Sequence, residues 1–165
     1  MFHISEIPSS HALLYKSFFL QGLIDDEDNF RISPHDEMES SFPTLDRVDS
    51  FTLGAFVDKE WAGVVSFERD GATREKLRHK GTLFRMLVGK EYRGQGIGRQ
   101  LIQAVIDRVK RHTDIEQINL TVIADNHGAK KLYESFGFRT FSVEERATKW
   151  KGRYFTEEQM ALWLR

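Results

Sequence analysis

The segment with the clearest chemical potential is a cluster of three glycines within five positions. Glycine adopts positive φ easily and lets the backbone approach a ligand, so consecutive N–H groups can converge on phosphate oxygens. An apolar run of strand length precedes the cluster and a helical pattern follows it, and a helix start leaves several N–H groups without partners. The pattern predicts a pyrophosphate site, or else a tight turn that needs glycine only for its geometry. The segment comprises Arg93, Gly94, Gln95, Gly96, Ile97 and Gly98.

Two familiar phosphate-binding motifs do not fit this segment. A dinucleotide fingerprint requires G-x-G-x-x-G, but the third glycine place falls at Arg99 when counted from Gly94 and at Leu101 when counted from Gly96. A P-loop requires Ser or Thr after its Gly-Lys pair, and the one Gly-Lys pair of this chain is followed by Glu91. The sequence therefore excludes both motifs.

The segment does match R-x-x-G-x-G, at Arg93, Gly96 and Gly98. A second pattern, N-x-x-A-x-x-x-Y-x-x-x-G-F, follows after one predicted strand. Its residues are Asn126, Ala129, Tyr133, Gly137 and Phe138. With these two motifs in this order, the chain resembles the GCN5-related N-acetyltransferase (GNAT) family. The resemblance covers about residues 50–164 well and residues 1–49 only in their helical pattern.

The resemblance implies acetyl-CoA as the acyl donor. By similarity, the amides from Arg93 to Gly98 would hold its pyrophosphate, and the strand end at Met86, Leu87 and Val88 would pair with the pantetheine amides. In the family this strand splays from its parallel neighbour, and the cofactor arm fills the gap. Asn126 would contact the cofactor from the following turn. The alternative for Asn126 is an ordinary helix N-cap, because asparagine is a preferred cap residue.

Tyr133 is the predicted catalytic residue. When a neutral amine attacks the thioester, negative charge moves to the leaving sulfur, and a phenol within hydrogen-bond reach can donate a proton to it. The alternative is a core tyrosine, since Tyr133 lies on an apolar helical stripe. The chain has no cysteine to carry an acetyl group, so we expect direct transfer to the amine in a ternary complex.

A general base is harder to assign. Some members of the family carry a glutamate five residues before the motif asparagine, where this chain has Thr121. The preceding strand offers Arg85 rather than a carboxylate, which leaves Glu68, Asp70 or a water chain as candidates. The alternative function is therefore a non-catalytic acyl-CoA-binding or sensing module.

Composition narrows the remaining function classes. A net charge of -1 and a pI near 6.6 argue against a protein that wraps nucleic acid, so no nucleic-acid partner is expected, although the basic aromatic segment Lys149–Arg153 leaves an RNA-associated protein as a weaker alternative. The six histidines show no metal-ligand spacing, so no metal site is predicted. No signal peptide or membrane span is evident, so a cytoplasmic protein is expected.

Charge divides the chain into two portions. Residues 1–60 hold 12 acidic and 4 basic side chains, whereas residues 61–165 hold 13 acidic and 20 basic ones. We expect the acidic segment Asp25–Asp28 and the basic segment Lys149–Arg153 to line the acceptor side. The acidic segment is either a collar that attracts a cationic acceptor or an ordinary solvated surface. The acceptor would be an amine of a small molecule or a protein, and a homodimer is compatible with this interpretation.

Hydrophobic periodicity predicts the elements that position these residues. Helices are expected at residues 10–22, 35–41, 97–109 and 129–136, the second opened by Ser33 and Pro34 and the last ended by Gly137. Strands are expected at residues 51–57, 61–68, 82–88, 118–124, 138–143 and 159–164. The last two are expected to be joined by a basic, aromatic loop that contains Lys149, Trp150, Lys151, Arg153 and Tyr154. Together with the resemblance, this order predicts an α/β fold in one domain of 165 residues. Its sheet is mixed and mostly antiparallel, with a central splayed parallel strand pair and helices on both faces.

Overall fold

The computed structural model describes all of residues 1–165 and contains one seven-stranded sheet in the order β1-β2-β3-β4-β5-β7-β6. The strands are β1 (Phe2–Glu6), β2 (Ser50–Val57), β3 (Glu60–Arg69), β4 (Lys80–Val88), β5 (Gln117–Ile123), β6 (Arg139–Trp150) and β7 (Arg153–Trp163). Neighbouring strands run antiparallel except β4 and β5, which are parallel. This arrangement confirms the predicted mixed sheet with a central parallel pair.

Helices cover both faces of the sheet, as predicted. They are α1 (Ala12–Asp25), α2 (Pro34–Glu39), α3 (Ile97–His112) and α4 (His127–Ser135). The predicted cap of α2 is present as a full capping box, in which Ser33 and Asp36 each accept a hydrogen bond from the other's backbone N–H. The last helix stops at Gly137, whose φ of 100° is the left-handed conformation predicted for it. None of the helices combines the length and the apolar character needed to cross a bilayer.

Two apolar clusters lie on opposite faces of the sheet. Alternation along β3 directs Val64 toward α1 and Val65 toward α3, because successive side chains of a strand point to opposite faces. The larger cluster includes the six buried residues of α3, together with Tyr133 of α4. The smaller one seats Tyr15, Phe19 and Leu23 of α1. The sheet is thereby fixed from both sides around its centre.

The C-terminal hairpin corrects one part of the sequence interpretation. The segment Lys149–Arg153 was expected to be a loop, but the strands extend to Trp150 and from Arg153, with a turn only at Lys151 and Gly152. Both turn residues have positive φ, at 50° and 79°. The cationic side chains of this segment favoured the prediction of a loop. On the exposed hairpin they lie over aromatic rings of the opposite strand, and Nζ of Lys149 is 5.2 Å from the ring centroid of Tyr154. The sequence interpretation also missed β1.

Candidate active site

The parallel strands β4 and β5 separate after three residue pairs. They are in register from Lys80 opposite Gln117 to Thr82 opposite Asn119, and no pairing follows although β4 continues to Val88. A cavity of about 890 Å³ opens where they part, with both strand ends in its walls. Backbone N–H and C=O groups along such a gap lack sheet partners, so an extended ligand can bind them as an additional strand would.

A β-bulge shapes the β4 wall of the cavity. Leu87 lies opposite Val64 and Phe84 opposite Ser66, so Arg85 and Met86 together face one residue of β3. Arg85 takes the left-handed conformation, with φ of 52°, which is uncommon for a residue other than glycine. The bulge turns the backbone of the strand just where the gap begins.

The side chain of Arg85 is held by groups from α1 and α2. Its Nη1 donates to Oε2 of Glu37 at 2.7 Å, and its guanidinium lies 4.8 Å from the ring centroid of Phe19. Glu37 is only 1% exposed. Tyr15 is buried alongside, and burial raises the pKa of its hydroxyl to about 12, although the positive charge of Arg85 acts in the opposite direction. The bulge is thus anchored by a buried ion pair.

The glycine-rich segment forms the turn at the start of α3, as predicted. Gly94 and Gly96 have φ of 76° and 83°, and a Cβ atom at either position would meet no protein atom within 4 Å. No backbone N–H of residues 94–99 donates to a protein acceptor, and the first that does is Gln100, to the carbonyl of Gly96 at 3.1 Å. A row of unpaired donors therefore opens beside the cavity, in the arrangement that binds phosphate groups.

The structure brings nearly all of the predicted site residues to one cavity. Its lining includes Met86, Leu87, Val88, Arg93, Gly94, Gly96, Ile97, Gly98, Asn126 and Tyr133. Gln95 alone among the predicted cofactor residues does not line it. Asn126 also caps α4, since its Oδ1 accepts from the N–H of Ala129 at 3.3 Å. Both interpretations of Asn126 are compatible with this position.

Tyr133 projects from α4 into the same cavity. Its ring packs edge-on against Phe138, with centroids 5.8 Å apart, and it is 7% exposed. Burial raises the pKa of its hydroxyl above the ordinary value, so the group stays protonated at neutral pH. A protonated phenol that lines the gap is available as a proton donor.

The cavity wall supplies little to serve as a general base. Thr121 does line it, and the single carboxylate in the lining is Asp26, which lies 3.4 Å from Nη2 of Arg93. The two candidates named from the sequence are elsewhere: Glu68 accepts from the hydroxyl of Ser50, and Asp70 accepts from that of Thr82. Neither lines the cavity. The structure does not bring them to the site.

Residues 18–138 match the family described as "Acetyltransferase (GNAT) family". The chain belongs to the GNAT acetyltransferase family. This confirms the family that the two sequence motifs indicated, and the structure supplies the splayed strand pair expected with them.

Similar proteins agree with this GNAT assignment. The chain is 42% identical to N-alpha-acetyltransferase 40 of Saccharomyces cerevisiae over 54% of its own length and 34% of the relative. It is 33% identical to N-alpha-acetyltransferase 30 of Schizosaccharomyces pombe, over 66% of this chain and 63% of the relative. The chain thus spans about a third of the length of the first relative and less than two thirds of the length of the second. The structure of yncA, a putative acetyltransferase from Salmonella typhimurium with its cofactor acetyl-CoA, superposes with a TM-score of 0.81 at 15% identity, covering 100% of this chain and 95% of that one.

The acidic and basic segments of this GNAT protein lie together, but they pair with each other. Glu27 and Lys151 are joined by a bond of 2.6 Å, and Asp28 and Arg153 by one of 2.5 Å. The hairpin therefore neutralises two of the four carboxylates of the expected acidic collar. Asp26 contacts Arg93 instead, and Asp25 has no ion pair and accepts a hydrogen bond from the amide of Gln21. A second cavity of about 290 Å³ lies between the two segments, and both segments contribute to its lining.

Several residues of the GNAT site had no signal in the sequence. Phe30, Arg31 and Ile32 come from the loop before α2 and line both cavities. Arg99 of α3 also lines the larger cavity, and its Nη2 donates to the hydroxyl of Ser135 at 3.0 Å. Because Arg99 follows the glycine turn directly, the sequence could have suggested it as a phosphate contact. The role of residues 30–32 depends on the fold, which brings their loop to the cavities.

Proposed function

We propose that this protein is an acetyl-CoA-dependent N-acetyltransferase that transfers the acetyl group directly to a primary amine. The acceptor is an amine of a small molecule or of a protein, and residues 1–165 work as one acetyltransferase domain. The observation that carries the proposal is the continuous cavity between β4 and β5, which ends at the unpaired N–H groups of residues 94–99. Family membership and the names of the relatives support it.

The residues present fit acetyl-CoA along the whole gap. The open N–H groups after Arg93 would hold the pyrophosphate, and a side chain larger than glycine would strain the positive φ that aims them. The backbone of Met86 to Val88 has no strand partner on the side of β4 that faces away from β3, and this side would bind the pantetheine amides. The apolar contribution of Leu120 and Val122 from the opposite strand suits a flexible aliphatic arm. Acetyl-CoA supplies an activated thioester acyl group.

Few side chains of the cavity can donate or accept the protons that move during acetyl transfer. An attacking amine forms the new C–N bond as the C–S bond breaks, and the departing sulfur takes up a proton from the hydroxyl of Tyr133. The amine in turn loses a proton, which returns to the phenolate of Tyr133 or passes to water, since no unpaired carboxylate lines the cavity. Tyr133 is thus the catalytic residue of this proposal.

Two measurements on the intact protein test this function. Isothermal titration should give one binding site for acetyl-CoA and for CoA, and none of comparable affinity for ATP or NAD. Release of free thiol should then follow when a panel of amines is added to the acetyl-CoA complex. Absence of acetyl-CoA binding contradicts the proposal outright.

The non-catalytic alternative retains one supporting observation. Because Asp26 is engaged with Arg93, no free carboxylate base lines the cavity, which a binding or sensing module would tolerate. Tight binding of acetyl-CoA without thiol release from any amine, peptide N-terminus or polyamine would favour this alternative. Thiol release that depends on the amine excludes it.

A further inference from the structure

Glu157 of β7 is an almost completely buried carboxylate, with 2% of its surface exposed. Its Oε2 lies 2.9 Å from Nε of Arg31, but the geometry is not that of a hydrogen bond, and Oε2 has no other partner. Burial raises the pKa of Glu157, assisted by the nearby negative charge of Glu144, while Arg31 lowers it. Oε2 is therefore desolvated without receiving a hydrogen bond that would offset the cost.

The partner of Glu157 is poorly fixed. The side chain of Arg31 is 64% exposed, and this contact is its only ion pair. A long, exposed side chain gives up conformational entropy to hold such a contact, and solvent weakens the attraction. A ligand that brought several N–H donors to the same carboxylate would replace one misaligned donor with better ones.

Glu157 itself lines neither cavity, and its ion-pair partner Arg31 connects the carboxylate to both of them. Arg31 lies in the wall that the acyl-transfer cavity and the smaller cavity share. The smaller cavity also presents three carboxylates, from Glu27, Asp28 and Asp36, and the aromatic rings of Trp150 and Phe155. Lys149 also lines it, and Glu27 and Asp28 are paired with the hairpin. Carboxylates among aromatic faces are the chemistry that binds organic cations.

Strand order places Glu157 one strand beyond the gap. Its register partner is Ile123 of β5, and β5 forms the far wall of the gap from β4. Adjacent strands are roughly 5 Å apart, so the carboxylate lies several ångströms to the side of an amine that attacks within the gap. Glu157 is therefore suited to bind a positively charged group of the acceptor other than the nitrogen that reacts.

We propose that Glu157 binds a second positively charged group of the acceptor, which displaces Arg31 from the carboxylate when the acceptor enters. The acceptor class is a diamine or polyamine, whose one amine reacts while another is held as an ammonium. This inference rests on the proposed acetyltransferase function, but the binding step can be measured without turnover.

The test uses putrescine and butylamine, which share a four-carbon chain and differ in the second amine. Isothermal titration into the protein saturated with CoA should show putrescine binding at least about tenfold more tightly, since a hydrogen-bonded charged pair is worth that much. Glu157→Gln should remove the preference. Arg31→Gln should strengthen putrescine binding by several fold, because it removes the group that competes for the carboxylate. A purely structural role of the pair would not give this increase.

Glu158→Gln is the matched control. Glu158 is the adjacent buried glutamate on the opposite face, where its carboxylate contacts Lys130 at 3.0 Å and Thr140 at 3.1 Å, and its loss should leave the preference intact. Equal affinities for putrescine and butylamine in the wild-type protein, or weaker putrescine binding in Arg31→Gln, would overturn the inference. Because Arg31 is exposed, its variant should fold even where Glu157→Gln does not. Thiol release with any amine separately reports the acetyltransferase function, so the two failures are distinguishable.

Discussion

The guanidinium of Arg85 and the carboxylate of Glu37 meet at 2.7 Å, which ties the bulge of β4 to the short helix α2. Arg85 lines the candidate active site, whereas Glu37 is buried behind it. The left-handed backbone of Arg85 costs free energy, and such a conformation persists only when its surroundings enforce it. The ion pair supplies that enforcement from outside the cavity.

Loss of the Glu37 charge should destabilise the fold. In Glu37→Gln the guanidinium of Arg85, whose side chain is 15% exposed, is left without its counter-charge, and removing one partner of a buried pair costs up to about 3 kcal/mol. Urea unfolding measures this loss. Glu39→Gln, an exposed position of the same helix, should change the free energy of unfolding by less than about 0.5 kcal/mol. Equal stability of both variants would mean that the pair contributes nothing.

A side chain added at the glycine turn should weaken acetyl-CoA binding, whereas the same change at a distant turn should not. Gly96→Ala places a Cβ on a residue with φ of 83°, and relaxation of that strain would redirect the N–H groups. We expect the dissociation constant for acetyl-CoA to rise by about tenfold or more. Gly152→Ala carries the same kind of strain, with φ of 79° and no neighbour within 4 Å, but at the tip of the β6–β7 hairpin. Titration should give this control the wild-type affinity.

Removal of one hydroxyl should separate chemistry from binding. Tyr133→Phe keeps the ring that packs on Phe138 but removes the proton donor, so acetyl-CoA affinity should persist while kcat falls by roughly a hundredfold. The comparison variant is Tyr154→Phe, since Tyr154 is 51% exposed on the hairpin and lies outside the cavity. An unchanged kcat in Tyr133→Phe would assign this tyrosine to packing alone.

Tyr15 should make the protein less stable in alkali. Its pKa is raised from 10.0 to about 12 in the folded protein, mainly by burial, so the folded state holds this proton more tightly than the unfolded state. The associated stability is complete below about pH 10 and is lost as the pH rises through about 12, at a cost of roughly 3 kcal/mol. Tyr15→Phe should flatten this part of the profile relative to wild type. Parallel profiles for the two proteins in denaturant unfolding would contradict the assignment.

Local patterns carried much of the fold and of the cofactor site. The aromatic and β-branched runs of β2 and β3 and the apolar stripe of α3 are strong local signals, and the capping residues of α2 are close together in the chain. The glycine turn could be predicted because glycine is the residue that most readily adopts positive φ, so its positions can be found from single residues. β1 was missed because it is short and only partly buried, and the hairpin at Lys151 was misread because its stability comes from contacts across strands.

The sequence by itself determined the glycine turn before α3, the tyrosine on α4 and the family, because each depends on residues close together in the chain. Only the tertiary structure decided which charges meet. Arg85 finds Glu37 across 48 positions, Lys151 finds Glu27 across 124, and Glu157 is left with Arg31 as its sole charged contact. The strength of a charge interaction depends on the burial of the two groups and on the distance between them. Both are set by the packing of segments that are distant in the chain, and no local sequence pattern encodes them.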